Sequence, residues 1–179
     1  MSKNIVTTDT PQEPQTNTRL HTLSVYVNNK PGVLMRITQV FARRGFNIDS
    51  LVVSQSRDAN FSRMTIGITG SSNGLDQIIK QVSKLVDVIN CCEHRPENAV
   101  VKELLLLKFL ADSTQRTEAL QVIDHFGGKT LDLNPNSMIA MITGDSSKID
   151  SAIGMLSMFE IVETIRTGKV AISRGDNPT

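Results

Sequence analysis

The 179-residue sequence predicts an α+β fold made of two tandem βαββαβ units. Apolar residues alternate at period two in several short runs, as strands with one buried face require. Between those runs lie four segments with apolar residues at helical spacing. The whole order of elements then occurs twice, with similar residues at matching places.

Residues 1–19 are rich in Thr, Pro, Gln and Asn, have nothing apolar beyond Val6, and are expected to form a disordered tail. Leu23, Val25 and Val27 then alternate with Thr22, Ser24 and Tyr26 as a first strand. Val33, Ile37, Val40, Phe41 and Arg44 share one helical face, and Gly45 is placed to end that helix. Residues 46–54 read as a strand, and Met64, Ile66 and Ile68 alternate in another. Ser71-Ser72-Asn73-Gly74 turns the chain into a second helix with the stripe Leu75, Ile78, Ile79, Val82 and Leu85. Residues 86–93 close the unit as a strand.

The order returns after Arg95-Pro96-Glu97-Asn98. A strand over 100–110 is followed by a helix over 117–126 ending in Gly127-Gly128, and by strands over 129–133 and 138–143. A helix over 147–158 leads to one long last strand over 161–172, bulged at Gly168. Each unit is thus the ferredoxin-like arrangement, a four-stranded antiparallel sheet under two helices. The expected organisation is a tail (1–19), a first domain (20–95), a linker (96–99) and a second domain (100–176).

Register supports the duplication. Met64, Ile68, Gly70, Leu75, Ile79 and Val82 match Met138, Ile142, Gly144, Ile149, Ile153 and Leu156 at a displacement of 74. Ile37, Val40 and Gly45 match Leu120, Ile123 and Gly128 at a displacement of 83. The nine-residue difference places the excess of the first copy around 55–62.

Composition removes several function classes. A net charge of +1 gives no global pull towards nucleic acid or an anionic membrane. No apolar run approaches the ~20 residues that span a bilayer. Adjacent Cys91 and Cys92 point to opposite faces of a strand and have no third cysteine to pair with, which fits a cytoplasmic protein with one core and one surface thiol. His21 and His94 fall at strand ends and His125 in a last helical turn, none at metal-ligand spacing. There is no phosphate loop and no dinucleotide fingerprint. Gly144-Asp145-Ser146 reads as a strand-to-helix turn with Asp145 or Ser146 as cap. The chain is not expected to be a catalyst. RNA binding on the sheet needs stacked aromatics, and aromatic residues make up only 4% of the chain.

One loop stands apart. The helix from Val33 follows Asn28-Asn29-Lys30-Pro31-Gly32 with no Ser, Thr or Asp just ahead of it. Open N–H groups at a helix start suit the carboxylate of an amino acid, whose ammonium needs carbonyl oxygens such as those of Asn29 and Asn47. Gly32 allows close backbone approach and Pro31 fixes the turn ahead of the helix without wasting a donor. An ordinary turn capped by Asn28 or Asn29 is the other reading, and the residues alone leave both open.

The run Asn29-Lys30-Pro31-Gly32-Val33-Leu34, followed by 41–51 (FARRGFNIDSL), resembles the signature of ACT domains. More narrowly it resembles the regulatory subunits of acetolactate synthase (acetohydroxyacid synthase). Ser62-Arg63-Met64-Thr65-Ile66, 84–88 (KLVDV) and the ending 168–175 (GKVAISRG) carry the same likeness, which covers 20–176.

The resemblance implies an N-terminal ACT domain and a C-terminal ACT-like domain. It implies a subunit without catalysis or cofactor of its own. Its partner would be a separate catalytic subunit that uses thiamine diphosphate, Mg and FAD in branched-chain amino-acid biosynthesis. The regulatory subunit would activate that partner and confer feedback inhibition by valine or another branched-chain amino acid, leucine or isoleucine. In the family the effector lies between two ACT domains. Carried over, one wall is Asn29, Gly32, Val33 and Leu34, and the other is Asn47 and Ile48 of a second protomer, so a homodimer is implied.

The second copy has Ala111-Asp112-Ser113-Thr114-Gln115 in place of the Pro-Gly loop, and no effector site is expected there. Its strand 104–110 (LLLLKFL) is apolar on both faces and calls for a cover, such as another protomer. The extension carrying Gln55, Arg57, Asp58 and Arg63 is a candidate contact with the catalytic subunit. The alternative function is a stand-alone paired-ACT amino-acid sensor acting on transcription.

Overall fold

The computed structural model describes residues 18–95, 97–176 and 179. The expected tail therefore lies, up to residue 17, outside the described residues, as does residue 96 of the expected linker. The first unit runs β1 (Arg19–Asn28), α1 (Val33–Arg43), β2 (Ser50–Gln55), β3 (Phe61–Gly70), α2 (Ser72–Val82) and β4 (Val88–His94). The second runs β5 (Ala99–Leu110), α3 (Arg116–His125), β6 (Lys129–Leu133), β7 (Ser137–Gly144), α4 (Ser146–Leu156) and β8 (Glu160–Arg166), and β9 (Val170–Ser173) follows. The sheet orders β2-β3-β1-β4 and β6-β7-β5-β8 are the same arrangement twice, each antiparallel.

Each sheet buries one face under its two helices. Leu23, Val25 and Val27 of β1 meet Val33, Ile37 and Phe41 of α1 and Leu75, Ile78 and Val82 of α2, all from the expected stripes. Leu105, Leu107 and Phe109 of β5 meet Ala119, Ile123, Ile149, Ala152 and Leu156 in the second core. Phe109 stacks on Phe159 with ring centroids 5.4 Å apart.

Four expectations need correction. The second strand starts at Ser50, and 46–49 form a connection. Phe46 turns inward, against Gly70 and Gly74, where a Cβ would come within 2.5 and 2.9 Å of its ring. The Asp49 N–H then donates to the Gly67 carbonyl at 2.9 Å to start the pairing.

The last strand is two strands rather than one bulged strand. β8 pairs with the later part of β5, whereas β9 pairs with Ala99–Lys102, the first four residues of β5. At the break Gly168 adopts φ 79 and lies so close to Ser50 that a Cβ would stand 2.6 Å from the serine Cβ. Positive φ and that contact together call for glycine there. The linker is correspondingly short, because buried Ala99 already belongs to β5.

The helix displacement is 82, not 83. Gly45 and Gly127 are the left-handed residues, at φ 71 and 58. The Phe46 N–H donates to Phe41 O as the Gly128 N–H donates to Ile123 O. Buried Ile37 and Phe41 thus correspond to Ala119 and Ile123.

The excess of the first copy is also spread out. Displacement falls from 82 at the helix to 79 between Ser50 and Lys129, and to 74 between their partners Gly67 and Met141. Part of the excess therefore precedes β2 rather than lying within 55–62.

Candidate functional site

Helix α1 begins without a side-chain cap. Gly32 at its boundary has φ 80 and ψ −6, and no side chain bonds to the first turn. The Val33 N–H reaches the Lys30 carbonyl only at 3.4 Å, and the Arg36 N–H closes on Gly32 O at 3.1 Å. The N–H groups of Leu34 and Met35 between them have no partner among the described residues. Both side chains are exposed, Leu34 by 37% and Met35 by 61%. An eleven-residue helix thus presents open donors at the positive end of its dipole.

The ordinary-cap reading does not hold, because both asparagines point elsewhere. The Asn28 amide donates to Asp87 Oδ1 at 3.5 Å, and the Asn29 amide donates to the Ala59 carbonyl at 3.0 Å. The Asn29 bond uses Nδ2 and leaves Oδ1 available as an acceptor. Sequence reasoning missed Arg36, whose guanidinium pairs with Asp87 and lies 3.5 Å from where a Cβ on Gly32 would stand. Its place one turn beyond Gly32 was the available signal.

The second copy solves the same local problem differently. Asp112 Oδ1 accepts from Thr114 N at 2.8 Å, Thr114 Oγ1 at 2.6 Å and Gln115 N at 3.0 Å, which closes the turn ahead of α3, although the helix itself likewise starts without a side-chain cap. Those bonds, the Thr114 hydroxyl first, hold the Asp112 carboxyl below its usual range. On the strand before it, Leu23 and Leu107 sit opposite Ile66 and Ala140, a displacement of 84 against 82 in the helix. The second loop is two residues shorter, at the place where the first has its Pro-Gly turn.

Asn47 and Ile48 lie at the other end of α1. The Asn47 amide donates to Asp49 Oδ1 at 3.1 Å, Thr69 Oγ1 donates to Asp49 Oδ2 at 2.7 Å, and Ile48 packs on the first core. Eleven helical residues, roughly 16 Å, separate them from Gly32. One chain does not bring the two expected walls together.

The β2–β3 hairpin is ordered by its own bonds. Asp58 Oδ1 accepts from Asn60 N at 3.0 Å and Asn60 Nδ2 at 2.9 Å, and Gln55 Nε2 donates to Ala59 O at 3.3 Å. Arg57 is exposed at the turn. Arg63, the fourth candidate contact residue, is half-buried. Its guanidinium lies 5.3 Å from the Tyr26 ring centroid, on the sheet.

The histidines and cysteines serve the framework. Buried His21 bonds through Nδ1 to Glu93 at 2.7 Å and through Nε2 to Gly70 O at 3.1 Å. Burial works to raise the Glu93 pKa, but the bonds from His21 and Arg95 prevail and hold it low. Burial first, and then the neighbouring Cys92, push the Cys91 thiol up to about 12, and burial raises Cys92 as well. Thiols so raised are poor nucleophiles at neutral pH. No group of three or more potential metal ligands occurs among the described residues. No helix there is long and apolar enough to cross a membrane.

Comparison with known proteins agrees with this geometry. Residues 23–90 match the AHAS small subunit-like ACT domain, and residues 102–175 match a profile described as the small subunit of acetolactate synthase. The acetolactate synthase small subunit of Mycobacterium bovis is 40% identical over 157 residues, covering 88% of this chain and 94% of its own. A probable acetolactate synthase small subunit of Methanothermobacter thermautotrophicus is 42% identical over 164 residues, covering 91% and 95%. The crystal structure of the acetolactate synthase small subunit from Thermotoga maritima superposes with a TM-score of 0.81 at 38% identity, covering 89% of this chain and 99% of that one. The chain is therefore a member of the acetolactate synthase small-subunit family, a non-catalytic regulatory subunit with two ACT-like domains.

Proposed function

We propose that this regulatory subunit senses a branched-chain amino acid, valine first among them, at the start of α1, and that occupancy there inhibits a separate catalytic subunit. The observation that carries the proposal is the uncapped helix start at Gly32, where open N–H groups of Leu34 and Met35 lie beside exposed apolar side chains and the Asn29 amide oxygen. A valine carboxylate fits the open N–H groups of Leu34 and Met35, its ammonium fits Asn29 Oδ1, and Val33 and Leu34 offer apolar surface to an isopropyl group.

The second wall, Asn47 and Ile48, would come from another protomer. Two antiparallel copies of α1 related by a two-fold axis bring the end of one helix beside the start of the other. Edge strand β2, with Val53 exposed, lies on the same flank and offers unpaired backbone groups to its symmetry mate. The helix-free face of the second sheet, with Leu110 and Ile165 exposed, would be covered in the same homodimer.

The β2–β3 hairpin, through Gln55, Arg57, Asp58 and Arg63, would meet the catalytic subunit and raise its activity. Thiamine diphosphate, Mg and FAD would reside on that partner, none on this chain, and the complex would work in the cytoplasm. The family relationship does not favour the stand-alone transcriptional sensor. Calorimetry of the full chain with valine, leucine and isoleucine tests the reading. Saturable binding of at least one supports it, and no heat from any of the three removes it.

A further inference from the structure

A cavity of about 400 Å³ lies between the two domains, away from the Asn29–Leu34 loop. Its wall brings together His94 at the end of β4, Lys102 on β5, Ser146 and Ser147 at the start of α4, and Lys169 and Arg174 flanking β9. These residues are scattered over the sequence, and the β5–β9 ribbon gathers them. Lys102 pairs with Val170, next to Lys169. The Arg174 N–H donates to the Asn98 carbonyl at 2.9 Å, tying the far end of β9 to the interdomain turn.

The wall carries an unbalanced positive charge. Lys102, Lys169 and Arg174 form no ion pair among the described residues. Of the two carboxylates beside them, Glu103 is paired with a cation of its own, whereas Asp145 keeps its charge, so three cations face one unpaired carboxylate. Glu103 accepts from Arg166 Nε at 2.7 Å and from the Ser146 hydroxyl, and Asp145 accepts from Lys148 N at 2.8 Å as the cap of α4. That cap takes one donor, and among the described residues the N–H groups of Ser146 and Ser147 have no partner at the positive end of an eleven-residue helix. Like charges converging on a partly enclosed space repel one another more than they would in open solvent, and a bound anion relieves that repulsion.

His94 supplies an independent sign. Its side chain is buried, with the residue 6% exposed, yet it stands on the cavity wall. Nε2 has only the Cys92 sulfur at 3.9 Å, and Nδ1 has no partner among the described residues. Burial first, and then the Arg63 charge, hold this imidazole below its ordinary pKa, so near neutral pH it is an uncharged hydrogen-bonding group. Among the described residues the buried side-chain atom without a partner is Arg116 Nε, so the free His94 nitrogen is not sealed off but opens onto the cavity.

We propose that this interdomain cavity binds a small multivalent oxyanion, a phosphorylated or polycarboxylate metabolite. Lys102, Lys169, Arg174 and the α4 N–H groups hold its oxygens, and His94 hydrogen-bonds to it. The volume suits a ligand of that size. Occupancy would clamp β9 of the ribbon against α4, and so fix the ribbon to both domains. The site shares no residue with the amino-acid loop, and the inference stands apart from the effector reading.

The three histidines of the chain allow a direct test. Imidazole NMR signals of the full chain are followed during titration with pyrophosphate and, separately, with citrate, against sodium chloride at equal ionic strength. Support is a saturable shift of the His94 signal with His125 unmoved, and binding weakened at least tenfold in the Lys102→Ala/Lys169→Ala double variant. Lys84→Ala, which removes an exposed cation elsewhere, binds as the parent does. Tighter binding of pyrophosphate assigns a phosphorylated ligand, and tighter binding of citrate a polycarboxylate. No His94 shift with either probe overturns the proposal, as do unsaturable shifts at all three histidines or a double variant that binds undiminished.

Discussion

The Asn29 side-chain amide donates to the Ala59 carbonyl across 3.0 Å, and this one bond joins the loop ahead of α1 to the turn of the β2–β3 hairpin. Ala59 O also accepts from Gln55, and the Asn29 N–H donates to Asn60 O at 2.7 Å. The candidate effector loop and the candidate partner-contacting hairpin are therefore directly hydrogen-bonded to each other. Coupling between sites needs a physical connection with two biased arrangements, and this is the shortest one available here.

Asn29→Ala removes the side-chain part of that connection, leaving the backbone bond to Asn60, and removes the proposed ammonium acceptor. In a reconstituted assay with the catalytic subunit, valine inhibition should weaken at least tenfold while activation without valine persists. Unchanged inhibition in this variant would remove Asn29 from both roles.

Asn47→Ala tests the wall expected from the second protomer. Valine affinity measured by calorimetry should drop about tenfold, the size of one hydrogen bond to a charged group. The thermal midpoint should hardly change, because Asn47 is exposed and bonds only to its neighbour Asp49. An unaltered affinity would place the effector wholly within one chain.

Arg57→Asp reverses an exposed charge at the hairpin turn without touching either core. Activation of the catalytic subunit should fall, and binding of valine to the isolated chain should stay as it was. Full activation would take this turn out of the contact.

How much of this was legible in the sequence depended on how local the cause was. The stripes of α1 and α2 and the glycine stop at Gly45 were readable, since spacing and left-handed φ are properties of short segments. The uncapped start at Gly32 was readable for the same reason. The start of β2 was not, because Phe46 turns inward only where Gly70 and Gly74, far along the chain, leave room for its ring. The break at Gly168 depends on Ser50 in the other domain. Gly127-Gly128 offers two candidate stops, and burial of Ile123 in the second core decides for the first. The Asn29 to Ala59 bond likewise spans thirty positions, and no spacing rule reaches it.

Acid stability should depend on Glu93. Its pKa is lowered in the folded chain, so its contribution is fully present above the ordinary value of 4.5 and disappears as pH falls through the folded value. Thermal midpoints of the parent should drop between pH 6 and pH 3 by more than those of Glu93→Gln, which lacks the titrating group. Parallel acid limbs for the two proteins would show that the Glu93 bonds to His21 and Arg95 add no pH-dependent stability.

Phe109→Ala should lower stability by about 3–5 kcal/mol in urea unfolding, since a fully buried ring stacked on Phe159 is lost. The first domain has its own core, so valine binding measured below the transition should survive. Loss of binding in a chain still folded in the first domain would tie the effector site to the second core.

Gly32→Asp is the most direct test of the regulatory site. The substitution puts a carboxylate at the helix start where the effector's own is proposed to bind, and because φ 80 strains any side chain there, Gly32→Ala serves as the control for backbone strain alone. Valine dose–response curves are measured on the catalytic subunit reconstituted with parent or variant chain. The expected result is full activation by both and inhibition by valine only with the parent. Equal valine sensitivity in the two would contradict the assignment of the effector site to the uncapped start of α1.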